Sequence, residues 1–314
     1  MQVYHSINEV PYHQQTFLTL GTFDGVHAGH QQIIRRLIED ASGKGRSLLL
    51  TFDRHPLEVI RNTRIPLLTP PREKIYILES TGLDTLVMLP FTRDLAEMTA
   101  EDFIEGIVIR GIGVCRFVAG YDHAFGRDRR GTPELLNSLE QEYEFGVDVV
   151  PPLSIDGSVV SSTLIRELLS DGDILGANRL LGRPYQLKGR VMPGKKLGQK
   201  LGFPTANLDI AAEKKLIPGD GVYAAVVEIH RRRMTGTVNI GSCPTVEGSR
   251  HQVEVFIHDF QGDLYGNEIT LHLKHFLRKE HCFNSMEALK RQIETDVRQS
   301  RNFLLQDSRR NEWD

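Results

Sequence analysis

Thr16-Phe-Leu-Thr-Leu20, Gly21-Thr-Phe-Asp-Gly-Val-His-Ala-Gly-His30 and Gln31-Gln-Ile-Ile-Arg-Arg-Leu-Ile38 follow one another without a break near the start of the chain. The first piece has the length and apolar character of a buried strand. The last puts Ile33, Ile34, Leu37 and Ile38 on one face at helical spacing. Further on, Ser47–Phe52, Thr85–Pro90, Cys115–Ala119 and Val147–Val150 repeat the strand signal. Helix-period stretches lie between them: Phe103, Ile104 and Ile107 behind the N-cap candidate Thr99, then Leu135, Leu136 and Leu139 behind Thr132-Pro133, a cap followed by a first-turn proline. Strand alternating with helix predicts a doubly wound α/β domain with right-handed crossovers.

The pattern changes after Asp173–Leu181, a short amphipathic helix closed by Gly182. From Tyr185 onward Gln186–Val191, Gly221–Ile229, Thr235–Ile240, Gln252–His258 and Glu268–Phe276 read as strands closely punctuated by Gly and Pro. That predicts a small antiparallel barrel. Asn284 and Glu287, in capping-box spacing, open a helix striped by Leu289, Ile293 and Val297, and the tail after Gln306 is expected to fray. Two domains result, residues 1–183 and 184–314.

Composition narrows the function classes. The 314 residues are 40% hydrophobic and 25% charged, with a net charge of −3, as in an ordinary soluble globular protein. This balance gives no case for nucleic acid or an anionic membrane; the one basic run, Arg231-Arg232-Arg233, reads as a solvated hairpin turn. No apolar run approaches the roughly 20 residues that span a bilayer. Cys115, Cys243 and Cys282 form neither a zinc spacing nor a disulfide framework, and the N-terminus lacks a signal-peptide layout, so a reducing, cytoplasmic location is expected. Oligomeric state stays open.

The loop at 21–30 occupies the carboxyl edge of the expected parallel sheet, where open α/β domains bind ligands. Gly21 and Gly25 would let the backbone approach a phosphate, and the following helix offers free N–H groups and a positive dipole end. His27 and His30, three apart, would face one anion. Ser161-Ser162-Thr163 ahead of Leu164, Ile165, Leu168 and Leu169 makes a second helix N-terminus, and Arg166 adds a planar fork suited to phosphate oxygens. Neither a P-loop nor a complete GxGxxG occurs, against the common ATPase and dehydrogenase readings.

In the second half, Gly202-Phe-Pro-Thr-Ala-Asn-Leu208 follows the glycine-spaced, basic stretch Gly189–Lys200. That stretch could fold over a triphosphate. Thr205 and Asn207 lie two apart, so in an extended segment their oxygens point the same way and suit magnesium. Glu254 alternates to the face opposite Val253, Val255 and Ile257.

Gly21–His30 resembles the HxGH signature of the nucleotidyltransferases, in the form found in bacterial FAD synthetases, and Ser161–Arg166 resembles the second signature, which holds the outgoing pyrophosphate. Val118–Gly126 with Arg129–Gly131 resembles the flavin and nucleotide loop: Asp122, Phe125 and Gly126 match, while His123 and Ala124 stand where Phe and Arg are frequent. Thr51–Pro56 also fits. Gly221-Val-Tyr223, Asn239-Ile-Gly241, Pro244-Thr245, Val253-Glu-Val255, Asp263–Gly266 and Phe276-Leu-Arg278 follow in the order seen in riboflavin kinases, with Gln199 and Cys243 where Arg is common; Lys195, Lys196 and Lys200 could replace the first. The whole resembles the bifunctional bacterial riboflavin kinase/FMN adenylyltransferase family. What this resemblance implies is ATP-dependent conversion of riboflavin to FMN and of FMN to FAD, with Mg2+. Glu254 is then the kinase base, with Thr205 and Asn207 on the metal. His27, His30 and Arg166 serve adenylyl transfer. Gly21, Phe23, Asp24, Gly25, Ser161, Ser162, Thr163, Gly189, Gly194, Lys200, Gly202 and Pro204 contact nucleotide, and Asp122, Phe125, Tyr265 and Arg278 contact flavin. The rival readings are a chain with only the kinase half working and a flavin sensor without turnover.

Overall fold

Six strands, β1 (Gln2–Tyr4), β2 (Thr16–Leu20), β3 (Arg46–Phe52), β4 (Thr85–Leu89), β5 (Val114–Gly120) and β6 (Gly146–Val150), form a wholly parallel sheet in the order β1-β4-β3-β2-β5-β6. This computed structural model describes residues 1–194, 197–210, 214–230, 232–245 and 248–309, with the side chains of 197, 200 and 242–251 outside the description. Alternation along the strands gives the sheet two buried faces. Leu18, Leu20, Leu48, Leu50 and Phe117 pack with Phe103, Ile104, Leu136 and Leu139. Phe17, Leu49, Leu86 and Val118 pack with Ile34 and Leu37 of helix Ala28–Ala41. Helices therefore cover both faces, as the doubly wound reading requires. The chain runs outward from β2 through β3 to β4, then crosses back to β5, so the order reverses between β2 and β5.

Local signals behave largely as read. Thr132 caps Pro133–Tyr143, and Thr99 accepts from Asp102 N ahead of Phe103–Ile112, which is wound as a π-helix. A two-stranded hairpin, β7 (Ser154–Ile155) and β8 (Ser158–Val159), precedes helix Ser162–Ser170. The strand β1 was not read from the sequence: three half-exposed residues on a sheet edge carry no apolar pattern.

In the second half β9 (Tyr185–Met192), β10 (Ala206–Asp209), β11 (Gly221–Ile229), β12 (Arg232–Thr245), β13 (Gly248–Ile257) and β14 (Glu268–Arg278) close into a barrel in the order β10-β13-β12-β11-β14-β9. All neighbours are antiparallel, and closure leaves no open edge. Val238, Ile240, Val253, Val255 and Ile257 are buried within it. The C-terminal helix, Met286–Arg309, lies on the outside: Leu304 packs with Ala224 and Val226, and Ser300 Oγ donates to Gly236 O. Of the basic run, Arg232 and Arg233 are exposed but belong to β12, paired with Ile229 and Glu228, and not to the turn; Arg231 lies outside the described residues.

Two expectations are corrected here. The helix cap is Ser285, whose Oγ accepts from Ala288 N at 3.1 Å, and not Asn284. The helix does not fray at Gln306, because Asp307 is buried with its carboxylate 2.8 Å from His275 Nε2. The chain packs as two units, residues 1–162 and 163–314, so the packing boundary precedes the change of composition near 183. The reason is helix Ile174–Leu181: Asn178 Nδ2 donates to Leu273 O in β14, and Tyr185 N in β9 donates to Asn178 Oδ1. Among the described residues no helix is long and apolar enough to cross a membrane.

Candidate functional sites in the two units

In the first unit the loops after β2 and β5 flank the reversal of strand order, the place where a doubly wound sheet opens a crevice. The loop Gly21–His27 is fastened from below. Gly21 N donates to Leu50 O (3.1 Å) and Gly25 N to Thr69 Oγ1 (2.7 Å). Thr22 O accepts from Thr51 Oγ1 (3.0 Å) and from Lys74 Nζ (2.6 Å). The buried Asp24 carboxylate accepts from Leu68 N and Thr69 N (3.1 and 2.9 Å). Phe23, Gly25 and Val26 all take positive φ (45°, 89° and 39°), which turns the chain sharply under the helix N-terminus. Ser162 Oγ donates to Asp24 O (2.8 Å), so the second helix N-terminus foreseen at 161–163 adjoins this loop. Arg166 is one turn further along that helix.

The two histidines lie ring on ring at the start of the helix. His27 is the N-cap of helix Ala28–Ala41: its Nδ1 accepts from His30 N at 3.2 Å. Its ring stacks on that of His30, 3.5 Å between centroids and 15° between planes. His27 is buried and His30 half-buried, with the Phe23 ring tilted against His30 at 4.9 Å. At Gly21 a Cβ would meet the Phe23 ring at 3.2 Å. Gly25 already gives its amide to Thr69, and the Asp24 carboxylate braces the loop from inside. Phe125 belongs to the core, against Phe103 and Phe117, and pairs through its backbone with Gly131. Asp122 is exposed. Burial, reinforced by Arg129, pushes the His123 imidazole down to about 4, so it is neutral at physiological pH.

In the second unit a cavity of roughly 370 Å3 opens between the outer wall of the barrel and the C-terminal helix. Its apolar part comes from Leu201, Phe203, Phe256, Leu289, Ile293 and Val297, with Phe203 and Phe256 edge to face at 5.3 Å. Its polar part is set by strand register: Glu254 on β13 faces Asn207 on β10 and Asn239 on β12. Thr205 Oγ1 donates to Glu254 Oε2 (3.2 Å). Gln252 Nε2 reaches both Asn207 Oδ1 (2.7 Å) and Glu254 Oε1 (2.5 Å). Gly194 passes so near Asn207 that a Cβ would sit 2.0 Å from its Nδ2 and force the Asn207 side chain to move. Asn239 Nδ2 donates to Glu280 Oε1 at 2.8 Å. Thr205, Asn207 and Glu254 thus lie together on one wall of the cavity.

The other expected contacts are distributed differently. Arg278 lines the cavity, but its guanidinium is held by the buried Asp296, with Nε 3.0 Å from Oδ1 and Nη2 2.8 Å from Oδ2. Gln292 Nε2 donates to the same carboxylate (2.8 Å), so Arg278 fixes the helix as a wall of the cavity. Tyr265 is half exposed at the β13–β14 turn and does not line the cavity. Gly189 sits in β9, where a Cβ would press on Asp209 O at 3.0 Å. Gly202, at φ 89°, and Pro204 are exposed on the approach to β10. Gln199 is exposed on helix Leu197–Leu201. Lys195 and Lys196, and the side chains of Lys200 and Cys243, lie outside the described residues.

Sequence reasoning missed Gln252, Lys74 and Thr69. Gln252 stands two residues before Glu254 on the same face, and the two-residue period of the strand could have found it. Lys74 and Thr69 reach the loop from more than forty residues away and carry no local signal. No group of three or more His, Cys, Asp and Glu able to hold a metal occurs among the described residues. A cation at the cavity would rest on Thr205 and Asn207 oxygens, hard donors that fit magnesium, beside the Glu254 carboxylate.

Known proteins reproduce the two-part layout. Residues 9–164 match the FAD synthetase family and residues 181–304 the riboflavin kinase family. The bifunctional riboflavin kinase/FMN adenylyltransferase of Escherichia coli K12 is 36% identical over 305 residues, covering 96% of each chain. That of Bacillus subtilis 168 is 35% identical over 292 residues, covering 91% of this chain and 92% of its own. A Streptococcus pneumoniae crystal structure described as a macrolide-efflux protein superposes with a TM-score of 0.87 at 30% identity, covering 96% of this chain and 98% of that one.

Proposed function

The chain belongs to the bifunctional riboflavin kinase/FMN adenylyltransferase family, a transferase that uses ATP twice in flavin synthesis, and from that premise we propose which residues carry each step. The barrel cavity takes riboflavin, its flat ring among Phe203, Phe256 and Ile293 and its ribityl chain toward Thr205, Asn207 and Glu254. An alcohol is not ionised at neutral pH, so this step needs a base. Glu254 Oε removes the ribityl proton as the oxygen attacks the γ-phosphorus of ATP and ADP leaves. Thr205 and Asn207 would hold magnesium, whose contribution is to offset phosphate charge. Gln252 keeps Asn207 and Glu254 in register.

The loop above β2 takes the second step. The FMN monoester, with a second pKa of about 6, is already mostly ionised at neutral pH, so its oxygen attacks the α-phosphorus of ATP without a strong base and pyrophosphate leaves. Alignment and charge stabilisation are what the protein must supply, from the helix N-terminus, His30 and Arg166, with His27 holding His30 in place. The observation that supports this division most strongly is the Glu254 carboxylate, bonded by Thr205 and by Gln252, which also holds Asn207, in a cavity with an apolar half. Purified protein incubated with riboflavin, ATP and a magnesium salt should yield FMN first and FAD later when the flavins are separated. FMN accumulating with no FAD would leave only the kinase reading.

A further inference from the structure

Beneath the loop Gly21–Val26 sits a buried lysine that neither reaction above uses. Lys74, on helix Pro71–Glu79, is only 6% exposed. Its Nζ lies 2.6 Å from Thr22 O and 3.2 Å from Thr51 Oγ1, and Thr51 Oγ1 itself donates to Thr22 O. Lys74 also lines a water-sized cavity of about 10 Å3 with Asp24, Asp53, Arg54 and His55. The segment Thr51–Pro56, to which the sequence lent no role, is thereby joined to the phosphate loop through one cation.

The consequence for the loop is geometric. The carbonyl of Thr22 and the N–H of Phe23 belong to one trans peptide and point in opposite directions. Drawing Thr22 O down onto the ammonium turns Phe23 N–H up, away from Lys74. Phe23 sits at φ 45°, and its N–H is donated to no group among the described residues. An upturned amide next to left-handed residues is the arrangement that binds anions in backbone nests. We propose that Lys74 is a positioning residue for FMN adenylyl transfer, holding Thr22 O so that the Phe23 amide is presented to a nucleotide phosphate. The inference rests on the reading that this loop carries adenylyl transfer. Burial drives the Lys74 ammonium down to about 8, opposed by Asp24 and Asp53, so the hold weakens as pH rises past that value.

The test uses the full-length chain, whose kinase reaction is an internal control for folding. In Lys74→Met the kcat for FAD formation from FMN should fall 10- to 100-fold, with the KM for FMN within threefold and FMN formation from riboflavin within twofold. The unaltered protein should lose kcat for FAD formation above about pH 8, a decline that Lys74→Met should lack. Should Lys74→Met fail to fold, Thr51→Val removes one bond to the ammonium and one to Thr22 O, and should lower the same kcat several-fold. His30→Ala separates the two levels of the argument. If His30→Ala abolishes FAD formation while folded Lys74→Met, or Thr51→Val in its place, leaves kcat within twofold, the Lys74 proposal is wrong and the assignment of the loop stands. If His30→Ala leaves FAD formation unchanged as well, the assignment itself falls.

Discussion

The loop above β2 and the cavity beside the C-terminal helix, the two sites proposed for ATP and a flavin, are built from different material. The loop is main chain, shaped by Phe23, Gly25 and Val26 at positive φ and pinned by the side chains of Asp24, Thr69 and Lys74. The cavity is side chain, with a carboxylate, an amide and a hydroxyl gathered by strand register. The chemistry explains the contrast. An ionised phosphate needs orientation and charge, which backbone amides and a helix end provide. An alcohol needs a proton acceptor, which only a side chain provides.

That contrast can be broken at the base. Glu254→Gln keeps the shape, with one oxygen to accept from Gln252 and an amide that donates to the Thr205 hydroxyl, but cannot take a proton, so FMN formation should drop by about 10²–10⁴-fold. Riboflavin titration should still saturate, since the apolar half of the cavity is unchanged. Asp296→Ala attacks the frame of the same cavity. It strips the carboxylate from a buried pair and should destabilise the second unit by about 3 kcal/mol, toward the low end for broken buried pairs because Arg278 keeps some contact with water. Denaturant unfolding followed by FMN formation would register it, and FAD formation from supplied FMN should persist.

A pH titration of stability sharpens the comparison further, because each unit holds a neutral histidine. Burial pushes His123 and His258 each down to about 4; Arg129 adds to the effect on the first, while Arg301 adds to and Asp259 opposes it on the second. The unfolded chain binds these protons near pH 6.5 and the folded chain only near 4. Stability from these groups is therefore present above about 6.5 and lost as pH falls toward 4, at up to about 1.4 kcal/mol per pH unit for each histidine. Melting at a series of pH values should show the decline, and His258→Gln should make it shallower. The smallest expected effect is at the helix cap. Ser285→Ala should cost about 1 kcal/mol, and Asn284→Ala much less. The reverse order would restore the capping box read from the sequence.

The sequence was most legible where function and local pattern coincide. Five of the six parallel strands, the loop at 21–30 and the outward direction of Glu254 all follow from periods of two or 3.6 over a few residues. It was least legible where a role is played across distance. Thr69 and Lys74 reach the loop from another helix region, Asp296 reaches Arg278 from the C-terminal helix, and nothing adjacent to them in sequence reports it. Packing overrode composition at Asn178, whose helix joins the barrel although the strand-rich stretch starts after it. Phe125, a motif residue expected at the flavin, packs in the core against Phe103 and Phe117, contacts that lie far away in sequence.

The central claim is that two independent sites share this chain, and crossing two variants with two half-reactions tests it most directly. FMN formation from riboflavin and FAD formation from FMN would be measured on Glu254→Gln and His30→Ala side by side, each checked for folding. The account predicts a crossover: Glu254→Gln loses only the first reaction, and His30→Ala loses only the second, with the retained rate within a few-fold of the unaltered protein. Parallel loss of both reactions in either folded variant would contradict it and point to one shared site.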